Sequence, residues 1–145
     1  MRKIQGLLLA AVAVFGVHSV SAQYDTSAAC VAGPFMVFFD ANKDEITPQS
    51  AAILDNAASA YQTCGQAQVD ISGHTDRNGT DQDNVGLSQR MAMNVRSYLA
   101  GRGIPDGVMT TEAYGESRPL VETLDGVREP QNRRVEISFG PGSGW

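Results

Sequence analysis

Residues 71–95, Ile-Ser-Gly-His-Thr-Asp-Arg-Asn-Gly-Thr-Asp-Gln-Asp-Asn-Val-Gly-Leu-Ser-Gln-Arg-Met-Ala-Met-Asn-Val, leave this chain few ways to fold. They start as the end of a buried strand and pass through a turn dense in Asp and Asn. They continue as a helix in which Leu87, Met91 and Val95 recur every four residues. A strand, a polar turn and an amphipathic helix in that order bring Asp76, short polar side chains and a helix N-terminus to one spot. Such a spot suits a small zwitterion, because a carboxylate holds an ammonium and free helix amides hold a carboxylate.

The remaining elements fit around this unit. Phe35 to Phe39 is aromatic and β-branched after Gly33-Pro34 and predicts a first strand. Asp40 to Glu45 is a loop. Thr47-Pro48 predicts a helix start, with Thr as N-cap and Pro in the first turn. Ala51, Leu54, Ala58 and Tyr61 form its apolar face, and Cys64-Gly65 ends it. Ala67 to Ser72 alternates as a second strand, and Asp76 to Asp83 is the polar turn. Leu87, Met91, Val95, Tyr98 and Leu99 mark the second helix, closed near Gly101 or Gly103, and Pro105 prevents its return. Thr110 to Tyr114 is a third strand, Gly115 to Gln131 a long connection, and Arg134 to Phe139 a fourth strand. The order β-α-β-α-β-loop-β predicts an α+β domain with both helices on one face of a mixed four-stranded sheet.

Arg2 and Lys3, the apolar run Leu7 to Val17 and the small residues Val20-Ser21-Ala22 predict an export signal over residues 1–22, cut before Gln23. The run is shorter than the ~20 residues that a membrane-spanning helix needs. Residues 23–33 read as a polar leader, 34–139 as the folded domain and 140–145 as a flexible tail. Removing 22 of the 145 residues leaves 123, one domain by size, and takes away two of the 11 basic residues. Nine basic then stand against 16 acidic residues, a charge of −7 that speaks against nucleic-acid binding. Cys30 and Cys64 both survive cleavage, and an even pair in an oxidising compartment reads as one disulfide. In the chain-entropy model it contributes roughly 3–4 kcal/mol. Lipidation of Cys30 is the rival reading. The polar stretch Tyr24 to Ser27 between the apolar run and Cys30 argues against it. Two cysteines and one mature histidine are too few for a zinc site.

Several motifs resemble those of the OmpA-like C-terminal domain family, which also occurs in peptidoglycan-associated lipoproteins and flagellar stator proteins. They are Phe38-Phe39-Asp40-Ala41-Asn42 with Ile46; Gly73-His74-Thr75-Asp76 with Gly79; Asn84 with Leu87-Ser88; Tyr98-Leu99 with Gly103-Ile104; Gly115-Glu116-Ser117-Arg118-Pro119; and Asn132-Arg133-Arg134-Val135-Glu136. The resemblance implies a β-α-β-α-β-β domain that binds peptidoglycan non-covalently through the diamino acid of the stem peptide, usually diaminopimelate. It implies no cofactor, no metal and no catalysis. Asp76 matches the family aspartate that accepts the ammonium, and Thr75 and Asp40 lie in the matched motifs as further candidate ligand-binding residues. The family arginine that takes the carboxylate, in the pattern Leu-Ser-x-x-Arg-Ala, is Met91 here. Losing one partner of a desolvated charged contact typically costs ~2–5 kcal/mol, roughly thirty- to several-thousand-fold in affinity. Three substitutes stand near: amides around Asn84, Arg133 (which matches a family arginine at the same pocket) and the long side chain of Arg90. Two functions follow: a peptidoglycan-binding module of the periplasm, or a structural and interaction domain of the same fold with weakened or lost glycan binding. Association with outer-membrane or other envelope proteins, and homodimerisation, are compatible with both.

Blander roles compete at each residue. Asp76 can serve as a turn residue capping nearby amides. Asp81 and Asp83 read as solvated turn residues or helix N-terminal charges, Met91 as core, and His74 as a structural hydrogen-bonding residue. Asp76-x-Asn78-x-Thr80 faintly resembles a calcium loop but lacks the glycine at the sixth position and has Leu87 at the twelfth. A hydrolase built from Ser88 or Asp76 with His74 lacks a nucleophile elbow and a second mature histidine.

Overall fold

The computed structural model describes residue 16 and residues 33–64 and 67–140. The export signal with its cleavage site, nearly all of the leader, Cys30 and residues 141–145 lie outside the described residues. The expected Cys30–Cys64 bridge therefore lies partly outside them as well. Strand β1 spans Phe35–Phe38, helix α1 Pro48–Cys64, β2 Val69–His74, α2 Asp81–Gly101, β3 Met109–Gly115 and β4 Arg134–Phe139. Single 3₁₀ turns at Asp106–Val108 and Pro130–Asn132 precede β3 and β4. Among the described residues no helix is long and apolar enough to cross a membrane.

The strands form one sheet in the order β1-β4-β2-β3. β4 lies antiparallel to both β1 and β2, while β2 and β3 run parallel. The two-residue side-chain period splits the sheet. Val37, Val69, Ile71, Val135, Ile137 and Phe139 face the helices and are buried. They meet Leu54, Ala57, Ala58 and Tyr61 of α1 and Leu87, Met91, Ala92, Val95 and Leu99 of α2. Each large side chain so buried contributes about 1.5–3 kcal/mol. The opposite row, Ser72, His74, Arg134 and Glu136, is buried although none of the described helices covers that face. Arg134 anchors it: its guanidinium donates to Glu136 Oε1 at 3.0 Å and to the carbonyls of Asn132 and Arg118 at 3.3 and 3.2 Å.

Two boundaries differ from the sequence reading. β2 continues past Ser72 to His74, because Gly73 lets the strand touch α2. A β-carbon on Gly73 would sit 2.1 Å from the Ser88 carbonyl oxygen. Ser88, fully buried, donates its hydroxyl to Val85 O at 2.9 Å and accepts from Gly115 N at 3.0 Å, tying α2 to β3 at the same level. α2 begins at Asp81, inside the expected turn, because the Thr80 hydroxyl caps the helix by accepting from Asp83 N at 3.1 Å. Asp81 and Asp83 thus sit in the first helical turn, where negative charge complements the helix dipole. At the other helix the Thr47 hydroxyl accepts from Ser50 N at 3.1 Å, and α1 starts where Thr47-Pro48 predicts.

Candidate functional site

Asp76 leaves the end of β2 and turns back under the start of β4. Its side chain is 7% exposed, yet it is amply partnered. Oδ1 accepts from Asn78 N at 3.2 Å, an Asx turn. Oδ2 accepts from Glu129 N at 3.2 Å and from Arg133 Nη1 at 2.9 Å. Three of the roughly four acceptor positions of a carboxylate are therefore occupied. Asp76 thus builds its turn, as the blander reading has it, and forms a charged pair with Arg133.

Arg133 is held from several sides. Its Nε donates to Phe39 O at 3.1 Å, while Phe39 N donates to Arg133 O at 3.0 Å, so the end of β1 clasps the start of β4. The preceding Asn132 is fully buried. Its amide accepts from Leu120 N and Val121 N at 2.9 and 2.8 Å and donates to Val121 O at 2.8 Å, which locks the long β3–β4 connection against the strand. The guanidinium then opens onto a groove of about 420 Å³. The floor is Phe38, Phe39 and Ile53, and the rim carries Asp40, Thr47, Gln49, Ser50, Gln131 and Arg133. Asp40 is exposed, in a loop turned by Asn42 at φ 56° and closed by Lys43 N donating to Asp40 O at 3.1 Å. The groove thus pairs an exposed carboxylate with a braced guanidinium, the polarity that a zwitterion requires.

The structure sets Asp40 and Arg133 on this groove, with Asp76 paired to Arg133 behind it. It directs Thr75, Asn84 and Arg90 elsewhere. The Thr75 hydroxyl donates to Asp76 O at 3.0 Å. The Asn84 amide donates to Asp76 O at 3.3 Å and to Glu116 Oε2 at 3.0 Å, so it supports Asp76 from behind. Arg90 donates to Asp44 Oδ2 at 3.0 Å and Asn94 to Asp44 O at 2.9 Å, which fixes the loop that carries Asp40. Met91 is 1% exposed and belongs to the apolar core. The groove walls Thr47, Gln49, Ser50, Ile53 and Gln131 escaped the sequence reading. The only local signal for them was the helix cap at Thr47, whose partner Ser50 donates to Phe38 O at 2.9 Å.

His74 and Ser88 lie on opposite faces of the sheet. His74 Nε2 approaches Ser72 Oγ at 3.3 Å and Glu136 Oε2 at 3.7 Å, and its ring stacks on Tyr114 at 5.3 Å. Burial, with the positive charges of Arg134 and Arg118, pushes its pKa down from 6.5 to about 3, so it is neutral. A hydrolytic pairing of His74 with Ser88 therefore has no geometry here. Among the described residues no three histidine, cysteine or carboxylate side chains are grouped to hold a metal ion.

This architecture is that of a small α+β domain, and residues 38–133 match the OmpA family. The chain belongs to that family. It is 37% identical over 109 residues to an outer membrane protein of Gluconacetobacter diazotrophicus, covering 71% of this chain and 29% of that protein. Identity is also 37%, over 103 residues, with the peptidoglycan-associated lipoprotein of Haemophilus influenzae, covering 71% of this chain and 67% of the relative. The chain thus spans under a third of the first relative and about two thirds of the second. The crystal structure of the peptidoglycan-associated lipoprotein from Burkholderia pseudomallei superimposes with a TM-score of 0.66 at 30% identity, over 72% of this chain and 88% of that one. The periplasmic domain of Helicobacter pylori MotB shares the fold, with a TM-score of 0.61 at 21% identity over 74% and 71% of the two chains.

Proposed function

We propose that this protein is a non-covalent peptidoglycan-binding module of the cell envelope, exported to the periplasm and held near the outer membrane by what it binds. Its ligand is the diamino acid of the stem peptide, with free ammonium and carboxylate ends. Arg133 receives the carboxylate in place of the arginine that Met91 lacks. Asp40, with the remaining acceptor position of Asp76, receives the ammonium. The observation that carries this reading is the Arg133–Asp76 pair at 2.9 Å opening onto a groove rimmed by Asp40. Relatives whose names speak of peptidoglycan association support the same choice of polymer. Many copies of the ligand on one sacculus raise retention even where a single site is weak.

The test is sedimentation with purified sacculi, alongside a titration with free diaminopimelate. Asp40→Asn should weaken retention about tenfold, since it removes one charge-assisted contact without touching the core. Wild-type retention equal to that of a protein without affinity for murein would reject the proposal. The buried Met91 favours a second reading, a structural domain that has lost its glycan. Under that reading wild type and Asp40→Asn behave alike.

A further inference from the structure

The sheet order leaves β3 at an edge, with no strand on its outer side among the described residues. Its seven residues, Met-Thr-Thr-Glu-Ala-Tyr-Gly, contain neither the proline nor the lysine that commonly guards such an edge. α2 overhangs this edge with Val85, Gln89 and Met93 at four-residue spacing. Val85 and Met93 are 45% and 43% exposed, an apolar shelf beside an open row of backbone groups. Two hollows, of about 260 and 550 Å³, lie along the groove between α2 and β3, and Ala113 lines both.

The groove is charged at one end. Asp81, Glu116 and Glu122 line it there, and Arg77 is the only cationic residue among its described walls. Arg77 is already engaged by Asp125 at 3.0 Å and by Thr123 O at 2.8 Å. The neighbouring Asp81 carboxyl, together with burial, raises the pKa of Glu116 above the ordinary glutamate range, while the Asn84 amide and the charge of Arg77 oppose that rise. The carboxylates face one another more than they face a cation. A second copy of this chain is a poor occupant. Antiparallel pairing of β3 centred on its middle residue would set Glu112 against its own copy, and like charges directly opposite destabilise a sheet. The whole chain also carries a net charge of −5.

We propose that the β3 edge is a docking surface for an extended basic segment of a partner protein. The segment adds a strand to β3, rests alternate apolar side chains on Val85 and Met93, and places a lysine or arginine between Asp81, Glu116 and Glu122. Main-chain bonds supply affinity and the acidic end supplies polarity. The surface lies apart from the Arg133 groove, so sacculus retention does not depend on it.

The experiment is an NMR titration of the ¹⁵N-labelled domain with a capped peptide of alternating valine and threonine carrying one lysine, and with its twin carrying glutamate instead. The lysine peptide should shift the amides of residues 85–93 and 109–116 and bind about tenfold more tightly than its twin, the size of one partly desolvated ion pair. In the double variant Glu116→Gln, Glu122→Gln that preference should disappear while the folded spectrum persists. Three results would overturn the proposal: no shift at β3 with millimolar peptide, equal binding of both peptides, or shifts confined to the Arg133 groove. Concentration-dependent dimers that the lysine peptide fails to dissociate would overturn it too, in favour of a second copy.

Discussion

Asn84 stands between two carboxylates that the fold treats in opposite ways. On one side its amide supports Asp76 through the main-chain carbonyl; on the other it donates directly to Glu116. Asp76 is enclosed with a guanidinium and two backbone amides, while Glu116 shares its surroundings with another acid. The first arrangement fixes a shape, because a buried, paired charge with three hydrogen bonds has no low-energy alternative nearby. The second leaves a charge imbalance that a proton or an incoming cation relieves. One asparagine side chain thus separates a rigid polar scaffold from a responsive surface.

The comparison breaks most readily at Arg133. Arg133→Met leaves Asp76 buried without its cation and should cost about 3–5 kcal/mol of unfolding free energy. Urea unfolding measures the loss, and adding Asp76→Asn to the same protein should restore more than half of it. No recovery would mean that Arg133 acts mainly through its clasp with Phe39. Next in size is the buried polar row on the sheet face away from the helices. The folded-state pKa of His74 lies below its unfolded value, so the stability it contributes is complete above about pH 6.5 and falls as the pH drops toward about 3. By pH 4 the loss should reach roughly 3 kcal/mol, at about 1.4 kcal/mol per pH unit. Thermal melts of wild type against His74→Gln isolate it, since the variant lacks that slope; parallel curves would refute the assignment. Glu116→Gln gives the smallest effect. A raised carboxyl pKa costs stability as the pH climbs past the unfolded value near 4.5, so the variant should gain slightly at neutral pH and nothing in acid. The same melts reveal it once the His74 slope is subtracted.

Much of this was legible from local pattern. β4 spans Arg134 to Phe139 as its alternation predicts, and Thr47-Pro48 marks the start of α1 because capping is a short-range interaction. Met91 sits in the core as its four-residue spacing from Leu87 and Val95 implies. The end of β2 was harder. Gly73 looks like the beginning of a turn until the backbone of α2 is seen pressed against it. The roles within the site were harder still. Asp76 and Arg133 are 57 positions apart, and nothing local to either records that they meet. The resemblance drew Arg133 to the pocket. Only the fold shows that Asp76 is largely consumed by its neighbours, that Arg90 braces a loop, and that Asp40 is the carboxylate left facing solvent.

The reciprocal clasp between Phe39 and Arg133 also bears on mechanics. A pull exerted on Arg133 enters β4, which is flanked on both sides by other strands. Tension would be shared as shear between two ladders, where an edge strand would peel away one rung at a time. A tether loaded through its innermost strand yields late.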